Sequence, residues 1–187
     1  MDFIKQNFAN ILTVARMALL PVMIWLFYME AAWGAMAIWL CFWVYTLAAL
    51  TDFFDGYIAR KYNQISWFGT FLDPISDKIV VSTLLVLLVG FSKITGIWIT
   101  LVILIFAREF MISGLREFLG PKNIKMPVSN LAKWKTSAQM LSLGFLILSG
   151  YVPYVQILGL LLLLVATALT LMTGITYMKQ SLKHMKD

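Results

Sequence analysis

The chain has 187 residues, 61% of them hydrophobic, with nine acidic residues against fifteen lysines and arginines and a formal charge of +6. Its mean hydropathy is +0.84, which excludes an ordinary soluble domain, where about a quarter of the residues are charged. The single cysteine, Cys41, excludes an intrachain disulfide and, standing in an apolar run, reads as packing.

Apolar runs long enough to cross a hydrocarbon layer of roughly 30 Å, at about 1.5 Å per residue, recur along the whole chain. The predicted spans are residues 9–29, 34–58, 68–90, 95–115, 131–149 and 153–177, giving an all-α integral membrane protein of six transmembrane helices. An amphipathic lead-in precedes the first. Arg16 interrupts that run and no small-residue cleavage site follows it, so a true span is expected and not a cleaved signal peptide. The connections are Glu30 to Trp33, the polar "RKYNQIS", Phe91 to Thr95 with Lys93, "EFLGPKNIKMPVSN" and "SGYVP". Pro121, Pro127 and Pro153 punctuate these loops, and Gly120 and Gly150 sit where helices would end. No linker or internal repeat divides the chain, and residues 1–187 are expected to form a single transmembrane domain.

An even number of spans puts both termini on one side, and the basic residues decide which. Lys5, Arg16, Arg60, Lys61, Arg116, Lys122, Lys125, Lys133, Lys135, Lys179, Lys183 and Lys186 fall on the side of the termini, and Lys93 on the other. By the positive-inside rule that side is cytoplasmic. The charge excess reads as topology and attraction to anionic headgroups, so no nucleic-acid partner is expected. His184, the only histidine, lies in the basic tail and reads as a surface residue. Tryptophan, phenylalanine and methionine read as lipid-facing belt and packing.

Against this oily background, Asp52, Asp55, Asp73 and Asp77 fall in one short window. A carboxylate at the bilayer centre costs at least about 2.5 kcal/mol, so such acids need burial in protein and usually have a function. Asp52 lies about 27 Å along span two, and Asp73 and Asp77 about 8 and 14 Å along span three in the opposite direction. All four therefore occupy the cytoplasmic half. Spacings of i, i+3 and i, i+4 put each pair on one helix face, and the short loop makes the two helices antiparallel neighbours. Three readings are open: an all-oxygen site for Mg²⁺, Mn²⁺ or Ca²⁺, a proton or cation pathway, or carboxylates that solvate helix ends. A pathway should also carry ionisable residues in the outer half, where Glu30 is the only acid. Gly56, Ala59 and Gly69 lie near the aspartates and would allow close helix packing or leave a slot for a ligand.

Read together, Asp52, Asp55, Gly56, Ala59, Arg60, Gly69, Asp73 and Asp77 stand at the spacing D-x2-D-G-x2-A-R-x8-G-x3-D-x3-D. This resembles the signature of the CDP-alcohol phosphotransferase family, integral-membrane phospholipid synthases with six transmembrane helices. Such enzymes move a substituted phosphate from a CDP-linked donor to an alcohol with Mg²⁺ or Mn²⁺ and release CMP. The resemblance implies that Asp52, Asp55, Asp73 and Asp77 hold two metal ions and that Asp77 is also the general base on the acceptor hydroxyl. It implies that Gly56, Ala59 and Arg60, with Ser66, line the cytidine and phosphate end of the donor site. It leaves room for a homodimer.

Outside the signature, "NILTVARMALLP", "REFMISGLREF" and "PVSNLAKWKTSAQ" are similar to the branch of that family that makes phosphatidylglycerophosphate. The implied donor is CDP-diacylglycerol and the implied acceptor sn-glycerol 3-phosphate, in a bacterial inner membrane. Ala132 stands where that branch would have glycine, which bears on loop geometry. The acceptor's phosphate dianion needs countercharge, and Arg108, Arg116, Lys133 and Lys135 gather at the cytoplasmic ends of spans four and five. They are expected to bind glycerol phosphate, the plainer reading being topology and headgroup attraction. Glu109 is expected to orient one of these cations or to pair with a headgroup. Asn10, Thr13 and Arg16 recur at i, i+3, i+6 and are expected to touch the nucleotide or diphosphate of the donor, against a plainer reading of helix capping by Asn10 and snorkelling by Arg16. The rival functions are the same chemistry on serine, an inositol phosphate or phosphatidylglycerol, and an ion or proton transporter.

Overall fold

The computed structural model describes the backbone of residues 2–61, 67–120 and 130–185, and within these the side chains of 13–51, 72, 75–120, 131, 134–179 and 181. All regular secondary structure among the described residues is helical. The elements are α1 (Asp2–Tyr28), a single turn α2 (Glu30–Trp33), α3 (Ala35–Lys61), α4 (Trp67–Gly90), a 3-10 turn (Gly96–Trp98), α5 (Ile99–Leu119), α6 (Asn130–Ile147) and α7 (Val155–Met185). Helices are the solution that hydrocarbon surroundings demand, because every backbone N–H and C=O must then be satisfied within its own segment. Pro21 lies inside α1 and removes one backbone donor there without ending the helix.

Six helices of 18 residues or more among the described residues lie at the six predicted positions. Two stretches, Gly96–Leu119 and Val155–Lys179, are long and apolar enough to cross a membrane by length and composition, and Thr13–Tyr28 and Ala35–Thr51 are shorter apolar helices. The expected lead-in is part of α1 itself.

The helices also run past the expected ends. Arg60 and Lys61, predicted in a loop, are the last residues of α3; α5 continues to Leu119 and α7 to Met185. A helix has no need to stop at the edge of the hydrocarbon, and cations in its last turn meet the negative end of the helix dipole. The predicted connection Glu30 to Trp33 is itself helical, and Gly34, at φ +54°, makes the reversal into α3 that a residue with a Cβ resists. Pro121 and Pro127 lie outside the described residues.

The chain forms two compact units. The first comprises Met1–Phe91 with Ile147–Val152. In it α1 packs against α3 and α4. Met23, Phe27, Ile38, Leu84 and Leu88 are fully buried, and Cys41 is buried as a free thiol. Phe91 closes one end, its ring 5.3 Å from that of Phe27 and 5.4 Å from that of Tyr28. The second unit comprises Ser92–Leu146 with Pro153–Asp187, and in it α5 packs on α7. Near the start of α7, Gly159 brings that helix against Leu146 of α6, and Ser142 Oγ donates to the Gly159 carbonyl at 2.7 Å.

Candidate functional site

Two clusters of predicted residues can be followed, one in each unit. In the first unit the helical backbone is continuous through Asp52 and Asp55 on α3 and through Asp73 and Asp77 on α4. The i, i+3 and i, i+4 relations read from the sequence are therefore helical registers. The side chains of Asp52, Asp55 and Asp73 lie outside the described residues, as do the surroundings of Asn10, Gly56, Ala59, Arg60, Gly69, Ala132 and Lys133; Ser66 lies outside the described backbone as well.

Asp77 is described, and its partner is Arg16. Arg16, buried on α1 with 4% of its side chain accessible, donates from Nη1 to Asp77 Oδ1 at 2.7 Å. The same nitrogen reaches Ser76 Oγ at 3.4 Å. Ser76 is buried, whereas the Asp77 side chain is 51% accessible. A charge-assisted bond of this length sets the plane in which the carboxylate is presented. Thr13, buried one helical turn before Arg16, lies beside it on α1. The sequence grouped Thr13 and Arg16 with the donor nucleotide; the structure joins Arg16 to the predicted base. Ser76 was not anticipated, and its only sequence signal is its position next to Asp77.

In the second unit Arg108, buried on α5, is held at all three of its nitrogens. Nε donates to the Thr170 carbonyl at 3.1 Å, Nη2 to Thr173 Oγ1 at 2.9 Å and Nη1 to Glu109 Oε1 at 3.0 Å. The same Glu109 oxygen accepts a hydrogen bond from Lys135 Nζ, drawn in from α6. One carboxylate thus serves two cations, and the described cluster keeps one surplus positive charge. Arg116, two turns further along α5, is exposed and places its guanidinium 5.8 Å from the ring centre of Tyr177 on α7. Such a contact leaves the edge of an arginine available to an anion. Of the four predicted phosphate ligands, the structure joins Arg108 and Lys135 through Glu109, sets Arg116 against an aromatic ring, and leaves the Lys133 side chain undescribed.

The α7 partners of these arginines, Thr170, Thr173, Gly174 and Tyr177, were missed in the sequence. Their signal was present: small, hydroxyl and phenol groups at i, i+3, i+4 and i+7 interrupt a leucine-rich run.

The chain matches the family model described as CDP-alcohol phosphatidyltransferase over residues 6–175. The chain belongs to the CDP-alcohol phosphatidyltransferase family. Among curated proteins it is 44% identical to one from Rickettsia bellii over 97% of this chain and 98% of the relative. It is 38% identical to one from Cereibacter sphaeroides over 95% of this chain and 96% of the relative, and 39% identical to one from Haemophilus influenzae over 94% and 93%. Each of these relatives is named CDP-diacylglycerol–glycerol-3-phosphate 3-phosphatidyltransferase.

CDP-alcohol phosphatidyltransferases are membrane proteins that use divalent metal ions, and this chain is an α-helical integral membrane protein. The residues present fit such an ion. Asp52, Asp55, Asp73 and Asp77 offer oxygen donors of the kind hard cations take, from helical positions one turn apart in each pair.

Proposed function

We propose that this chain transfers the phosphatidyl group of CDP-diacylglycerol to sn-glycerol 3-phosphate, giving phosphatidylglycerophosphate and CMP. The observation that carries the reading is likeness over nearly the whole length to relatives named for that reaction. The acceptor is further supported by the surplus positive charge of Arg108 and Lys135 over Glu109. A buried cation surplus is costly unless an anion neutralises it, and a phosphate-bearing acceptor does so where serine would not.

In this reading Asp52, Asp55, Asp73 and Asp77 hold two ions, Mg²⁺ or Mn²⁺, which when bound neutralise the diphosphate and stabilise charge on the oxygens that change partner. Asp77 takes the proton from the acceptor hydroxyl as that oxygen bonds to the phosphorus bearing the diacylglycerol and the bond from that phosphorus to CMP breaks. Arg16 keeps the Asp77 carboxylate in one orientation, which favours its aim at a hydroxyl held nearby. Gly56, Ala59, Arg60 and Ser66, with Asn10 and Thr13, receive the nucleotide and phosphates of the donor. Arg108, Arg116, Lys133 and Lys135 receive the phosphate of the acceptor.

We also read all six long helices as spans of one transmembrane domain, with both termini and the aspartate-bearing helix ends on the cytoplasmic side of a bacterial inner membrane. The one-sided distribution of lysine and arginine and the bacterial relatives support this. A homodimer is the assembly to test by crosslinking in membranes.

The deciding experiment follows CMP release by the purified protein in detergent with CDP-diacylglycerol and Mg²⁺, adding glycerol 3-phosphate, serine, inositol phosphate or phosphatidylglycerol in turn. Release that depends on glycerol 3-phosphate supports the proposal; release with another acceptor alone overturns the acceptor. Ion flux without CMP release in folded protein would restore the transporter reading.

A further inference from the structure

Arg108 occupies a closely built polar seat on α7. Its guanidinium is held on two sides by consecutive turns of α7: the Thr170 carbonyl takes Nε and the Thr173 hydroxyl takes Nη2. The Thr173 oxygen can receive this bond because its own hydrogen points back into its helix, toward the carbonyls of Leu169, at 2.9 Å, and Thr170, at 3.0 Å. Between these groups the side chain of Arg108 lies across Gly174. A methyl group built there would sit 3.0 Å from Arg108 Cγ and 3.4 Å from Nε. The arginine stem would have to give by a few tenths of an ångström, and a guanidinium anchored at Nε and Nη2 resists that shift because it lengthens or bends those bonds.

Five N–H groups project from a guanidinium, and three are engaged here by the Thr170 carbonyl, Thr173 and Glu109. Among the described residues, one N–H on each terminal nitrogen stays uncommitted. An anion that uses both needs the guanidinium in one orientation, and neither α5 nor Glu109 dictates that orientation alone. The other carboxylate partner, Lys135, is a point charge on a flexible stem and demands less.

We propose that Thr173 and Gly174 of α7 are positioning residues for the acceptor's phosphate: the hydroxyl and the missing side chain together fix the direction in which Arg108 presents its remaining donors. This rests on the reading of Arg108 as a ligand of glycerol 3-phosphate. Neither residue touches the acceptor. Their effect is felt in how strongly the acceptor is held, while CDP-diacylglycerol binding is untouched.

Steady-state CMP release by the full chain in detergent, with each substrate varied in turn, tests this. Thr173→Val keeps the shape and removes the acceptor oxygen, and Gly174→Ala adds the clashing methyl. Both are expected to raise KM for glycerol 3-phosphate about ten-fold or more while KM for CDP-diacylglycerol stays within two-fold, roughly the effect of losing one hydrogen bond to a charged group. Thr173→Ser restores the hydroxyl and is expected to recover most of the loss. Thr167→Val, which alters a buried threonine whose hydroxyl bonds to the Leu163 carbonyl, is the control and leaves both constants in place.

Unchanged KM for glycerol 3-phosphate in both Thr173→Val and Gly174→Ala, with Arg108→Ala defective for that substrate, overturns the positioning role and leaves the acceptor reading standing. Equal losses for both substrates, or no rescue by serine, likewise overturn it in favour of a general packing role. An Arg108→Ala protein with normal KM for glycerol 3-phosphate removes the parent reading instead. Should Gly174→Ala fail to fold, Thr173→Val and its serine rescue decide the matter.

Discussion

Arg16 and Asp77 stand 61 positions apart in the chain, and in the folded first unit the guanidinium of one donates to the carboxylate of the other at 2.7 Å. A buried arginine on α1 thereby fixes the orientation of a half-exposed aspartate on α4. Arg16→Gln should keep the helix and lose the charge-assisted bond. The expected outcome is a fall in kcat of about ten- to a hundred-fold with KM for glycerol 3-phosphate changed little, since the loss falls on the reacting centre and not on the phosphate grip. Initial rates over a full acceptor titration check this. A rise in KM with kcat unchanged would assign Arg16 to substrate binding instead.

Asp77→Asn preserves size and removes both basicity and a metal-ligating charge. CMP release is expected to fall by about a thousand-fold or more, as losing general-base catalysis and electrostatic stabilisation together requires. Glu30→Gln, an acid of the opposite helix ends, should retain activity. Chelation by EDTA should abolish turnover of the unaltered protein, and Mg²⁺ or Mn²⁺ should restore it. Substantial turnover in Asp77→Asn would remove that residue from the chemistry.

Glu109 bridges Arg108 and Lys135 with a single oxygen. Glu109→Gln leaves two cations facing one another across a neutral amide in a largely buried setting. A loss of about 2 kcal/mol in stability is expected, seen as a lower melting temperature in detergent. Glycerol 3-phosphate should then raise that temperature by more than it does for the unaltered protein, because the anion meets a larger positive surplus. A smaller rise would show that Glu109 supports the anion site by geometry more than it opposes it by charge.

Two glycines should respond in opposite ways to alanine. A methyl group at Gly159 would lie 2.8 Å from Leu146 Cγ and 3.2 Å from its backbone nitrogen, so Gly159→Ala should cost about 1 to 3 kcal/mol through overpacking of α6 on α7. At Gly114, within α5, the same methyl meets nothing within 4 Å, and Gly114→Ala should be neutral or stabilise by up to about 1 kcal/mol through helix propensity. Thermal unfolding of the two variants side by side distinguishes them. Equal behaviour would mean that the two helices yield at Gly159.

The helical class, the places of six long helices among the described residues and the family were all legible in the amino-acid order, which also singled out four aspartates. Each of these rests on something local or periodic: apolar run length against a fixed hydrocarbon thickness, and charged residues at helical spacing in a setting that penalises charge. Helix ends were less legible, because Arg60 and Lys61 are as content in a last helical turn as in a loop. Which side chain answers which came from the packing of the helices. Arg16 was legible as an unusual charge, but not as the partner of Asp77. Arg108 and Lys135 were legible as cations, but not as sharers of Glu109. Thr173 and Gly174 passed for ordinary members of an apolar helix until α5 was laid against α7. Hydrogen bonds between residues 61 or 65 positions apart depend on how helices rotate and slide against each other. A spacing rule along one helix carries no information about that rotation, which is set by the packing of whole faces.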